Sequence, residues 1–310
     1  MRPVRSPLDL GSGNGRTVRR GIHGDAASGI PHGRQRSVTG EPMPSSTAPA
    51  RLRLLPALAA PIAIILRRKP SKLYHVMLWR TDTDEIEHGS WFRGRIYEDM
   101  CDISPDGRWM AYFAIGGSSM GPRSWSALCR PPWLRAALYH QATGHVWGER
   151  GIFRPDGRVD AINWSVPLKS DVDPAELKDA PKIIFNPPGT WPPQHATLLR
   201  DGFTLQSQTK SNPLHSHLML QPTPEHPAIR LFNPRSTTGR GRIEVDGLDL
   251  ALDPARDWAC YDSRGHLLIA RLGRVERWSL RDLKAGQPGF VRDLESLVPP
   301  ERPGTEGAGG

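Results

Sequence analysis

Gly117-Ser-Ser-Met-Gly121 has the G-x-S-x-G spacing of a nucleophile elbow, a tight strand-to-helix turn that presents a serine hydroxyl for acyl transfer. It follows an apolar strand, Met110 to Ile115, and would make Ser119 the nucleophile. The elbow needs a helix straight afterwards, to fix the serine and supply an oxyanion N–H. Pro122-Arg-Ser-Trp125 is a poor helix entry, so Ser119 reads as part of a Gly/Ser surface loop and as a catalytic candidate without its supporting helix. His215-Ser-His217 places two imidazoles on one strand face, a spacing metals can use. A third ligand is missing from the neighbourhood, where His195 and His226 are the remaining candidates, so neither metal nor cofactor is expected. Trp91-Phe-Arg-Gly-Arg-Ile-Tyr-Glu98 is the densest mixture of aromatic and charged groups. Together with Arg67, Arg68, Lys69 and Lys72 it suits an anion-binding or partner-binding surface, with Trp91, Arg93, Arg95, Tyr97 and Glu98 as its contacts. The competing account is solvated charge with a structural Arg–Glu pair. Neither a Walker loop, nor a dinucleotide fingerprint, nor a paired-carboxylate signature occurs.

These residues must be positioned by short strands. The chain has 31 Pro and 31 Gly in 310 residues, one fifth of the total, which excludes a helical bundle. Ile62 to Arg68, a Lys-Pro-Ser-Lys turn, and Leu73 to Arg80 read as a β-hairpin. Asp102-Ile-Ser-Pro-Asp-Gly-Arg-Trp-Met-Ala-Tyr112 reads as strand, Asp-Gly turn, strand, and Ile152-Phe-Arg-Pro-Asp-Gly-Arg-Val159 repeats it. Leu198 to Leu205 is a weaker copy, and Asp253 to Tyr261 keeps the proline and the Trp-x-x-Tyr spacing without Asp-Gly. With Pro105, Pro155, Arg200 and Pro254 as equivalents, the repeat runs at about 50 residues. Trp79, Trp109, Trp258 and Trp278 fall at repeat-like positions and are expected to pack the repeats. Trp91, Trp125, Trp133, Trp147 and Trp191 fall in loops or turns, where they are expected to cap hydrophobic ends.

On these turns, and on Met77-Leu-Trp-Arg-Thr-Asp-Thr-Asp84 and Val275-Glu-Arg-Trp-Ser-Leu-Arg-Asp-Leu283 as outer strands, the sequence resembles β-propeller repeats of the WD-repeat and Tol-system kind. The resemblance spans about residues 62–296. The run Arg67 to Lys72, followed by Gly94-Arg-Ile-Tyr-Glu98, also resembles a group of uncharacterised bacterial propeller-like proteins. It implies an all-β, propeller-like array of about four or five four-stranded blades. The expected organisation is a disordered basic leader over 1–49, the repeat domain over 50–298 with a short helix near 173–180, and a disordered tail over 299–310. Met43 stands as an alternative start. Leader apolar groups would return at most about 15–25 kcal/mol, against about 1–2 kcal/mol per residue to order the backbone.

The net charge is +9, but residues 1–72 carry +10, so the rest of the chain is close to neutral and a general nucleic-acid-binding body is not expected. The cysteines Cys101, Cys129 and Cys260 are odd in number and far apart, which argues against a disulfide framework and for a reducing, cytoplasmic setting. The apolar run Leu54 to Leu66 holds two prolines and ends at Arg67, too short to span a bilayer; export to the periplasm is the minority reading. The function expected is a non-catalytic, protein-binding scaffold. The alternatives are a serine hydrolase using Ser119 and a periplasmic Tol-like component.

Overall fold

The structure is a computed structural model that describes residues 48–69, 73–118, 121–141, 149–187, 195–209, 212–224, 226–234 and 241–300. The expected leader and tail lie almost wholly outside the described residues. The rest is all-β and propeller-like, in five units taken in chain order.

The first unit is β1 (Arg51–Pro56), β2 (Ile62–Lys69), β3 (Leu73–Arg80) and β4 (Glu85–Ile96), joined as antiparallel neighbours. The apolar run that could be mistaken for an export signal is therefore the end of β1, a turn, and β2, with Leu54, Ile64, Ile65 and Leu66 buried on the two faces of the sheet. No helix among the described residues is long and apolar enough to cross a membrane. The second unit is β5 (Asp102–Ile103), β6 (Met110–Ser118), β7 (Gly121–Cys129) and β8 (Ala136–Gln141); β4 bends into it through the pairs Gly94↔Gly116 to Ile96↔Ala114. The third is β9 (Arg150–Phe153), β10 (Val159–Ile162) and β11 (Ile183–Phe185), with β11 parallel to β10 across an insertion that carries a 3-10 turn, Pro174–Leu177. Asp173 caps that turn by accepting from Ala175 N at 2.7 Å. The fourth opens on a short helix, α1 (Ala196–Arg200), and continues as β12 (Thr204–Thr209), β13 (Asn212–Leu220), β14 (Ile229–Phe232), β15 (Arg242–Val245) and β16 (Leu248–Leu252). The fifth is β17 (Trp258–Tyr261), β18 (Leu267–Arg271), β19 (Arg274–Trp278), α2 (Leu280–Ala285) and β20 (Phe290–Asp293).

The recurring turn has one backbone signature: a glycine N–H donates three residues back while the turn's ends bond to each other. Gly107 donates to Ser104 O at 2.9 Å, Gly157 to Arg154 O at 2.9 Å, Gly202 to Leu199 O at 3.2 Å and Gly265 to Asp262 O at 3.0 Å. All four glycines have φ between +75° and +91°, a conformation that costs a side chain dearly. Two repeat assignments are corrected by this pattern. The fourth copy is Asp262–His266, not the stretch around Pro254. The latter is a glycine-free turn in which Asp253 and Asp257 bond to each other's backbone, and it carries the chain from β16 to β17. In the Leu198–Leu205 copy the strand before the glycine is replaced by α1.

The units close into a ring. Leu52 N donates to Arg256 O at 3.1 Å, and Arg277 holds Asp84 through two bonds of 2.8 and 2.7 Å. Arg67, wholly buried, donates to the carbonyls of Glu295 and Leu297 at 2.8 and 2.9 Å. One hydrophobic core joins the first, fourth and fifth units; a second fills the space between the first and second, and a third the space between the second and third. Trp79, Trp109, Trp258 and Trp278 are all buried in these contacts, as their repeat positions imply. Of the loop tryptophans, Trp125 packs edge-on to Phe92, Trp91 lies 4.0 Å from the His75 ring, and Trp133 is exposed; Trp147 and Trp191 lie outside the described residues.

Candidate functional site

The first elements of the five units converge on one polar cluster. Asp102, at the start of β5, accepts from its neighbour Ile103 N at 2.9 Å and from Phe153 N on β9 at 2.7 Å. Its second oxygen also receives Arg200 Nη1 from the end of α1. The same guanidinium reaches Phe153 O at 2.9 Å and holds Asp201 through Nε at 2.8 Å and Nη2 at 2.7 Å. A helical turn, rather than a strand, lets Arg200 and Asp201 both face inward, because consecutive strand side chains point to opposite faces. Burial would lower the Arg200 pKa, and the two carboxylates more than reverse that, so the guanidinium stays charged. Burial pushes the Asp201 carboxyl up to about 6 despite the opposing pull of Arg200. From β1, Arg53 stacks on Trp258 of β17 at 3.1 Å from the ring centre and approaches Asp99 at 3.4 Å. A cavity of about 200 Å³ lies among Arg53, Asp99, Asp102, Arg200, Asp201 and Trp258.

A second recess of about 150 Å³ adjoins it and shares Arg53, Glu98 and Asp99. Arg51 and Arg68, cross-strand partners in β1 and β2, line it with Arg95 from the end of β4 and Arg256 from the turn before β17. Arg95 lies over Tyr97 at 4.6 Å and Arg68 over Tyr74 at 5.7 Å. The Tyr74 hydroxyl is 2.8 Å from both Ile96 O and Glu98 Oε1; burial, then the Glu98 charge, raises its pKa and keeps it protonated. Arg51, Arg68, Arg95 and Arg256 form no ion pair among the described residues. Like charges placed directly opposite on adjacent strands cost stability.

The structure divides the predicted partner surface. Arg95, Tyr97 and Glu98 share the arginine recess with Arg68, whereas Trp91 and Arg93 pair with His75 and Leu73 on the other part of β4. Ser119 lies outside the described residues. Its flanks pair Ser118 with Gly121 as β6 turns into β7, so the strand–helix context of an elbow is not formed. His217 stacks on Phe232 at 4.3 Å and His215 is exposed; among the described residues no group of three His, Cys, Asp or Glu is placed to hold a metal. Asp102, Arg200 and Asp201 were missed because no local motif joins them. The available signal was Arg200 itself, a charged residue where the stronger repeats have proline.

No protein-family profile matches the chain, and no curated protein does. Among solved structures it is similar to a GH43 protein, BlXynB, from Bacillus licheniformis, with 12% identity and a TM-score of 0.31. The match covers 84% of this chain, which spans 60% of the length of that one. One expectation is corrected here. The non-catalytic scaffold was inferred from repeat architecture without a catalytic signature, whereas the structural likeness found is to a GH43 protein. Propeller repeats without a linear signature do not exclude an enzyme, since groups that meet at the centre of a ring come from separate units and leave no motif.

Proposed function

We propose that the protein binds a small phosphate- or carboxylate-bearing substrate in the arginine-lined recess, with the adjoining central cavity receiving the remainder beside Asp201. The observation that carries this reading is the convergence of Arg51, Arg68, Arg95 and Arg256 on one recess with no ion pair among the described residues. Guanidinium forks suit the planar oxygens of phosphate and carboxylate, and an anion there would relieve the Arg51–Arg68 opposition. Asp201, titrating near 6, is suited to carry a proton to or from the bound molecule. Arg95 and Tyr97 are assigned to the ligand rather than to a protein partner, while Glu98 accepts from the Tyr74 hydroxyl and stays out of the contact. The positive-φ glycine turns support blades of the WD-repeat or Tol-system kind.

The test is thermal unfolding of the full chain with inorganic phosphate, pyrophosphate or citrate, against chloride at equal ionic strength. An anion present at ten times its dissociation constant stabilises by about 1.4 kcal/mol, a rise of about 3–6 °C for a domain of this size. The rise is expected to disappear in Arg68→Ser and Arg95→Ser. Equal melting temperatures in all three anions and in chloride would overturn the proposal.

A further inference from the structure

A separate cluster lies between the second and third units, away from both recesses. His140, on β8, is buried and presents its two ring nitrogens to different partners. Nδ1 is 3.0 Å from the hydroxyl of Ser165, and Nε2 is 3.9 Å from Glu149 Oε1. Glu149, buried just before β9, is fixed by Ser126 of β7, whose hydroxyl donates to Oε2 at 3.1 Å. Ser165 follows Trp164, which is buried in the core between the second and third units, while Ser165 itself is exposed. The anchor thus fixes the loop and turns the serine towards solvent with its oxygen still on the imidazole.

We propose that Ser165, His140 and Glu149 form a nucleophile, base and acid that cleave small ester substrates through an acyl-serine. The three side chains have the required order: a hydroxyl on one ring nitrogen and a carboxylate facing the other. Burial lowers the His140 pKa, which leaves the ring neutral and able to accept a proton at neutral pH. Burial raises the Glu149 pKa, with the Ser126 hydrogen bond opposing it. In the reaction the Ser165 oxygen attacks the ester carbonyl carbon and its proton passes to His140 Nδ1. The carbon–oxygen bond to the alcohol then breaks, and the same proton goes to the leaving oxygen. Water, deprotonated by His140, attacks the acyl-serine; the bond to Ser165 breaks, releasing the carboxylic acid and restoring the hydroxyl. Glu149 faces the imidazolium formed in each half and is a positioning residue for it.

The sequence contained each residue but no signal for the set, because Ser165 lacks the G-x-S-x-G frame and its partners lie 25 and 16 positions away. The experiment is labelling of the full chain with a fluorophosphonate probe, with peptide mapping, alongside the p-nitrophenyl acetate burst. One adduct on Ser165 is expected, absent in Ser165→Ala, which removes the exposed hydroxyl with its one bond to His140 and should still unfold cooperatively. His140→Gln is expected to slow labelling about 10²–10⁴-fold. Glu149→Gln is expected to shift the pH profile of the remaining rate, which a purely structural role would leave in place. No adduct on folded protein, or an adduct that persists in Ser165→Ala, would overturn the proposal.

Discussion

Removing the Asp102 carboxylate is expected to loosen the ring at its centre. Asp102 ties the second unit to the third through Phe153 N and to the fourth through Arg200, and its side chain is only 4% exposed. In Asp102→Ala the Phe153 N–H loses its acceptor, and the Arg200 guanidinium, 9% exposed, keeps Asp201 as its remaining carboxylate beside the Phe153 carbonyl. Breaking a buried pair by removing one partner costs about 3–5 kcal/mol, and an orphaned buried N–H about 1–3 kcal/mol. These overlap because one carboxylate serves both, so a total of about 3–5 kcal/mol is expected. At about 2–4 °C per kcal/mol for a domain of this size, the melting temperature should fall by about 6–20 °C. Calorimetry and urea unfolding would read it. Asp179→Ala is the control: this surface carboxylate pairs with Arg108 and Arg130, both at least 40% exposed, and its loss should leave the melting temperature close to that of the wild type. The Asp102→Ala/Arg200→Met/Asp201→Asn triple variant should recover part of the single-variant loss, since it removes the remaining buried charges together. A loss below about 1 kcal/mol in Asp102→Ala would refute the assignment of this cluster as the tie between units.

The pH dependence of stability should contain two opposed contributions between pH 4 and 6.5. Asp201 titrates at about 6 when folded against about 3.9 unfolded, so its contribution is full below pH 4 and is lost as pH rises through 6, by about 3 kcal/mol. His75, lowered to about 4 by burial and then by His88 and Arg67, contributes fully above pH 6.5 and loses about 3 kcal/mol as pH falls through 4. Asp201→Asn should therefore become steeply acid-sensitive and His75→Phe acid-resistant in urea midpoints taken at pH 4.5 and 7; curves parallel to the wild type would refute both assignments. Gly107→Ala and Gly157→Ala should separate conformational from steric cost. Both have positive φ, worth about 1–2 kcal/mol against alanine, but only at Gly107 would the new Cβ meet a side chain, Ile62 Cδ1 at 2.9 Å. Gly107→Ala should thus melt lower, and equal melting points would contradict the turn geometry. These join the anion-dependent melting and the Ser165 labelling described above.

The turns were legible from local chemistry. Asp-Gly at 106–107 and 156–157 supplies the positive φ that a tight connection needs, and the repetition of that demand made the propeller-like array visible. The packing role of Trp79, Trp109, Trp258 and Trp278 followed from the same spacing. Where the demand is met by another residue order, as in Asp262-Ser-Arg-Gly265, the repeat was placed one element too early. The substitution of α1 for a strand was hidden too, because five residues of Ala-Thr-Leu-Leu-Arg suit either state and tertiary contacts with Asp102 and Phe153 decide. Arg95, Tyr97 and Glu98 were recognisable as a charged aromatic run with Arg68 of the preceding hairpin beside it, yet the rest of their company was not: Arg51 comes from the first strand and Arg256 from about 160 residues downstream. Local rules act over a few residues along the chain, so they specify turns and strand faces. Ring closure brings together residues from separate units, so both central recesses and the Ser165–His140–Glu149 set exist only in the tertiary structure.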